Sequence, residues 1–242
     1  MERIMVATSM KSLPIYPVLN VMPLFLSTTN QHMKKINVLP QTFYKFKCDK
    51  SIINKILPHV EEEKYVAISS SPTDNSKSIN TFLHKEERYK ELINWIYKCI
   101  NEFKEDLQLQ CEKFTITQCW LNSTMYGQSH HPHLHPNSFL SGVLYLNNSD
   151  VKTVFVGDSS WNFFNGKNKI LQVAPLKNPG LSIIHEEDSV ECTLILFPSN
   201  IVHQTSPSCS FSNTRYTLSF NAFPSGKIGN IDFLSSLEIE IK

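Results

Sequence analysis

The chain has 242 residues, with 23 Lys plus Arg against 22 Asp plus Glu and a net charge of +1, so no global field recruits nucleic acid or an anionic membrane. Ordinary hydrophobicity (41%) and only seven glycines exclude a disordered or repeat-built chain, and the length suits one large domain with a sizeable core. Six cysteines (Cys48, Cys99, Cys111, Cys119, Cys192, Cys209) contain no CxxC pair, which excludes a zinc ribbon, a thioredoxin-type centre or a disulfide framework and reads as reduced thiols in a cytoplasmic protein.

Residues 1–32 differ from the rest. The run from Val18 to Leu26 is apolar but too short to cross a bilayer, Pro14, Pro17 and Pro23 would interrupt a helix, and no clear signal-peptide cleavage site follows. Met33-Lys34-Lys35-Ile36 looks like a translation start, so 1–32 is read as a loosely ordered N-terminal extension. A single domain is then expected over 33–242, with helical support at about 49–110 and a β core at about 111–226.

Phe43 to Phe46 alternates as a strand does. Asp49 or Ser51 can cap a helix carrying Ile52, Ile53, Ile56, Leu57 and Val60, which Pro58 should shorten or kink. Ser69 to Ser78 reads as a loop. From Lys85 to Leu107, Leu92, Trp95, Ile96, Cys99, Ile100, Phe103 and Leu107 recur at three and four, the spacing of an amphipathic helix. Beyond Gln110 the period changes to short β runs: Phe114–Trp120, Leu140–Leu146, Thr153–Val156, Lys169–Val173, Leu181–His185, Cys192–Phe197 and Tyr216–Asn221, separated by turn residues. Short strands with no helices between them predict a mainly β fold, a double-stranded β-helix or jelly roll, with the N-terminal helices packed on one sheet.

Four of the nine histidines lie in Ser129-His130-His131-Pro132-His133-Leu134-His135-Pro136. In an extended segment, side chains two apart share a face, so His133 with His135, or His131 with His133, can converge on one ion. His203, just after the apolar strand ending at Phe197, offers a second source. Imidazole suits iron, zinc, copper or nickel, so ligand type alone does not choose the metal. On the last strand, Arg215, Thr217 and Ser219 share a face, and a guanidinium fork beside a hydroxyl suits a carboxylate.

His133-Leu134-His135-Pro136-Asn137-Ser138, the run Leu140-Ser141-Gly142-Val143-Leu144-Tyr145-Leu146, Leu194-Ile195-Leu196-Phe197-Pro198-Ser199 leading to His203, and Arg215 to Asn221 together resemble the 2-oxoglutarate–Fe(II) oxygenases of marine phages and bacteria, distant relatives of prolyl hydroxylases. The resemblance spans Met33 to about Gly226. It implies Fe(II), 2-oxoglutarate and O2 as cofactor and co-substrates, with His133 and His203 as metal ligands and Arg215 and Thr217 holding 2-oxoglutarate. The implied reaction releases succinate and CO2 and hydroxylates a substrate, with no catalytic side chain beyond the metal ligands. The wider superfamily has Asp two residues after the first His; here His135 stands there, either as a direct third ligand or behind a water.

Trp120, Asn122, Tyr126 and Tyr145 are candidates to line the cavity, and the loop Asp158–Lys169 is a candidate for specificity. A protein side chain or a small metabolite is favoured over nucleic acid as substrate, and no membrane partner is expected. Two alternatives remain at this level. One is a cupin, which Gly127 and the His133-Leu134-His135 triplet resemble, although the expected glutamate is missing and Asn200 replaces the turn glycine. The other is a non-catalytic jelly-roll binding module stabilised by zinc.

Overall fold

The computed structural model describes residues 33–38, 41–158, 181–230, 232 and 234–241. The expected extension over 1–32, the strand expected at Lys169–Val173 and nearly all of the candidate specificity loop lie outside them.

Strands β1 (Met33–Val38) and β2 (Gln41–Lys47) form a hairpin that leads into helix α1 (Lys50–Glu62). Asp49 caps α1, accepting from the Ser51 N–H at 2.8 Å, and Ile53, Ile56 and Val60 form its buried stripe. Pro58 does not shorten the helix as one of the two expected outcomes had it; α1 runs on to Glu62. Pro58 and Asn54, whose carbonyl loses its helical partner, are both on the exposed side, where water can take the missing hydrogen bond.

The loop expected up to Ser78 ends sooner, because β4 (Ser76–Ser78) pairs with β3 (Tyr65–Ala67) and with β5 (Cys111–Thr124). Two 3-10 turns at Leu83–Lys85 and Glu87–Tyr89 precede α2 (Lys90–Asp106), so the regular helix starts at Lys90 rather than at the expected Lys85. Then follow β6 (Leu140–Tyr145), β7 (Ser149–Asp158), β8 (Leu181–Ser189), β9 (Thr193–Pro198), β10 (Val202–Thr205), β11 (Arg215–Ile228) and β12 (Leu237–Ile239). β11 outruns the predicted Tyr216–Asn221 because beyond Ala222 it pairs with β5 but no longer with β6, so Pro224 lacks an N–H where no β6 partner remains.

Two antiparallel sheets make a jelly roll. The larger runs β1-β2-β9-β6-β11-β5-β4-β3 with β12 on β11, and the smaller runs β10-β7-β8. Strand alternation divides the large sheet into two faces. Leu121, Leu144, Leu194, Leu196, Leu218 and Phe220 pack with the apolar stripes of α1 and α2 in the main core. On the other face Phe43, Val143, Tyr145, Ile195 and Phe197 meet Phe155 of β7 and Ile201 in a smaller core between the sheets. Gly142 of β6 lies under the Phe220 ring, where a Cβ would stand 2.3 Å from Cζ. Toward β5 and β11 the inter-sheet face turns polar, and the site is there.

Candidate metal centre

Main-chain hydrogen bonds fasten the histidine segment to β10. His133 and His203 form an antiparallel bridge, each N–H donating to the other's carbonyl at 2.9 Å. The His135 N–H donates to the Ser199 carbonyl at 3.0 Å, and the His130 N–H to Thr205 Oγ1 at 2.7 Å. With His133 and His135 two apart and His203 opposite His133, the three rings converge, and their candidate ligand atoms all lie within 4.8 Å of one another.

The Nε2 atoms of His135 and His203 are 3.2 Å apart. Two imidazole nitrogens bound to one cation at about 2.1 Å, at angles of roughly 90–110°, would be about 3.0–3.4 Å apart. Carbonyl oxygens only accept, so contacts of His203 Nδ1 with the Ile201 carbonyl (3.0 Å) and His133 Nδ1 with the His131 carbonyl (2.8 Å) fix Nδ1 as the protonated nitrogen. In the neutral rings Nε2 is left with a lone pair, and the carbonyls hold the ring orientation. Burial keeps the rings neutral, lowering His203 to about 3 and His135 to about 4, and His133 is lowered as well. The chemistry of this donor set fits a divalent first-row metal.

Of the two pairings left open by spacing, the structure brings His133 and His135 together with His203. His131 turns away to Asp74, 3.2 Å from its carboxylate. His130 stacks on His133, with ring centroids 4.0 Å apart.

The cavity beside the trio is walled by alternate residues of β5 and β11. Trp120 and Asn122 oppose Ser219 and Thr217 in register, with Val143 and Phe197 completing an apolar side. Trp120 Nε1 donates to Asn122 Oδ1 at 3.1 Å, and Asn122 Nδ2 donates to Ser219 Oγ at 2.9 Å and Thr217 Oγ1 at 3.3 Å. Arg215 also lines this cavity and is only 3% exposed. Its Nε donates to Ser189 Oγ at 2.8 Å, an NH2 nitrogen donates to Thr153 Oγ1 at 3.1 Å, and the guanidinium lies 5.3 Å from the Tyr145 ring centroid. Among the described residues no carboxylate pairs with it, and burial lowers its pKa. A buried cation without a counter-ion is costly, so its position facing the histidine cavity calls for an anionic ligand.

Residues 118–221 match the family described as "Putative 2OG-Fe(II) oxygenase". The match is narrower than the Met33 to Gly226 span of the resemblance, but it contains the histidine segment, His203 and Arg215. No curated protein matches this chain by sequence. Its fold is similar to the prolyl-4-hydroxylase of Pseudomonas putida (TM-score 0.53, 14% identity, 78% of this chain and 96% of that one). It is also similar to the alpha-ketoglutarate-dependent carbocyclase SnoK of nogalamycin biosynthesis (0.59, 9%, 84% and 90%). A third likeness is to a Trichoplax adhaerens prolyl hydroxylase solved with a peptide fragment of a hypoxia inducible factor (0.50, 15%, 78% and 86%). At these identities the likeness is one of fold.

Of the cavity candidates read from the sequence, Trp120 and Asn122 line the pocket beside the histidines, and Tyr145 supports Arg215 while its hydroxyl donates to Thr153 at 2.8 Å. Tyr126 does not line it; the ring is half-exposed and stacks on Phe211 at 3.5 Å. Sequence reasoning missed Thr153 and Ser189, which hold Arg215, and Lys77, which lines an adjoining cleft. Only the pairing of β4 with β5 and of β7 with β8 brings them in, and pairing partners are not written in local spacing.

Proposed function

We propose that this protein is an oxygenase in which His133, His135 and His203 hold Fe(II) and Arg215, with Thr217 beside it, anchors the distal carboxylate of 2-oxoglutarate. The observation that carries the reading is the uncompensated Arg215 guanidinium in the cavity shared with the three histidines. Fe(II) held there would bring O2 and 2-oxoglutarate together, the four electrons that reduce O2 coming two from oxidative decarboxylation of 2-oxoglutarate to succinate and CO2 and two from the substrate C–H bond that is hydroxylated.

The chain's own residues bind, orient and exclude water. Ser189 and Thr153 aim the guanidinium so that its remaining N–H groups present a fork to a carboxylate. The Asn122 amide fixes the Thr217 and Ser219 hydroxyls on the cavity wall. Phe197 and Val143 keep the histidine side dry, and the Phe197 ring packs edge-on 4.8 Å from His203. With His135 where relatives have Asp, all three ligands are neutral, so the metal keeps its full charge and attracts a dianionic co-substrate more strongly.

A protein side chain or a small metabolite is the proposed substrate class. The fold neighbours include a peptide-bound prolyl hydroxylase and a carbocyclase from antibiotic biosynthesis, and a charge of +1 gives no field for nucleic acid. The proposal takes 33–242 as one oxygenase domain preceded by an extension, acting in the cytoplasm, of the host cell if the chain is phage-encoded. All six cysteines being free accords with that compartment, and no helix among the described residues is long and apolar enough to cross a membrane.

The test is iron-loaded protein with 2-oxoglutarate and O2 and no added substrate. Slow succinate formation is expected, dependent on both Fe(II) and Arg215. Tight zinc binding without 2-oxoglutarate binding or succinate would instead identify a metal-stabilised binding module.

A further inference from the structure

A second cleft, of about 250 Å³, adjoins the metal site and shares Trp120, His130, His133 and His135 with the Arg215 cavity. Its remaining walls are Ile68, Lys77, Thr81, Gln118 and Asn221. Lys77 lies directly opposite Asn122 in the β4–β5 ladder, and residues directly opposite in an antiparallel pair project to the same face. The Lys77 side chain therefore projects to the cavity side of the sheet. Among the described residues it has no carboxylate partner. Asp74, three residues away, is taken by Ser69 Oγ and His131. At the other end of the cleft, Ser141 Oγ donates to Asn221 Oδ1 at 2.9 Å, which orients the buried amide and leaves its Nδ2 as the donor.

Arg215 and Lys77 thus lie in different cavities that meet at the histidines. On the oxygenase reading above, the first cavity takes 2-oxoglutarate, so the second is the place for the substrate. We infer that the substrate is a small free carboxylic acid of amino-acid size, its carboxylate paired with Lys77 and its carbon chain laid along Trp120 toward the histidines. One compact ammonium balances one carboxylate, whereas a phosphate would call for further cations or a fork of donors. The cleft volume is below the roughly 300–1,000 Å³ of sites for drug-sized ligands, so an amino acid suits it better than an extended peptide. Ile68 and Trp120 supply apolar contact, and Gln118, Thr81 and Asn221 supply hydrogen bonds for a polar substituent.

The experiment uses zinc-loaded protein, which cannot turn over, and ligand-observed saturation-transfer NMR with the twenty standard amino acids, their C-terminal carboxamides and blocked peptides containing the same residues. At least one free amino acid is expected to bind. Its carboxamide and the Lys77→Met protein should each bind at least about tenfold more weakly, and Lys77→Arg should stay within a few-fold, as loss or retention of one charge-assisted contact implies. Thermal melts establish that both variants fold. With the iron-loaded protein, the amino acid that binds should accelerate succinate formation and gain one oxygen atom, the other atom of O2 entering succinate. Equal binding of acid and carboxamide, undiminished binding to Lys77→Met, binding of peptides alone, or no bound amino acid would each overturn the inference. Binding of 2-oxoglutarate alone, measured the same way, tests the underlying oxygenase reading separately.

Discussion

Replacing Arg215 by Met should separate ligand binding from stability in opposite directions. The guanidinium is buried at 3% exposure with no carboxylate partner among the described residues. Its hydrogen-bond partners are not orphaned by the change, because Ser189 Oγ still donates to the Val151 carbonyl and Thr153 Oγ1 still accepts from Tyr145. Removing a lone buried charge relieves a desolvation cost of several kcal/mol, against the loss of two hydrogen bonds and a cation–π contact worth about 0.5–2 kcal/mol. The net expectation is a metal-loaded protein between unchanged and about 2 kcal/mol more stable, a rise in Tm of at most about 8 °C for a domain of this size. Binding of 2-oxoglutarate should weaken by about 3–5 kcal/mol, the worth of two charge-assisted hydrogen bonds, or roughly 150- to 4,000-fold. Thermal melts of the zinc-loaded protein read both quantities. At a hundred times Kd, 2-oxoglutarate should stabilise the unaltered protein by about 2.7 kcal/mol, and the same concentration should leave Arg215→Met essentially unshifted. A variant that melts well below the parent, or still binds 2-oxoglutarate within threefold, would refute the account of Arg215 as a cation waiting for an anion.

His203→Ala should weaken zinc binding by more than the roughly 10–100-fold typical of losing a group behind a ligand, whereas His131→Ala, whose ring faces Asp74, should leave it unchanged; competition with a chromophoric chelator measures both. Gly142→Ala puts a methyl 2.3 Å from the Phe220 ring and should cost about 1–3 kcal/mol in a urea melt, with Phe220→Leu in the same chain recovering part of the loss.

Features that depend on local period are legible in the sequence. The apolar three-and-four spacing from Leu92 to Phe103 marks α2, and the alternation of Leu218 and Phe220 with Thr217 and Ser219 tells which side of β11 meets the helices and which meets the cavity. Two-residue spacing likewise brings His133 and His135 to one side, but it leaves His131 an equal candidate. The carboxylate of Asp74, from a distant loop, draws His131 away. Four residues are too few for β10 to show a period, and β4 is hidden in a Ser-rich stretch because only its pairing with β5 makes it a strand. Pro58 misleads because the rule against interior proline assumes that the freed carbonyl is buried. Tyr126 misleads because nothing local distinguishes an aromatic that lines a cavity from one that stacks on a neighbour in solvent.

The reciprocal bonds between the main chains of residues 133 and 203 have a bearing on metal choice. A socket whose walls are latched together before any ion arrives need not rearrange to close, so capture should be fast and tight for several cations alike. Three imidazoles on one side suit iron, zinc and nickel alike, so which ion ends up inside would be decided by cellular supply rather than by the donor set.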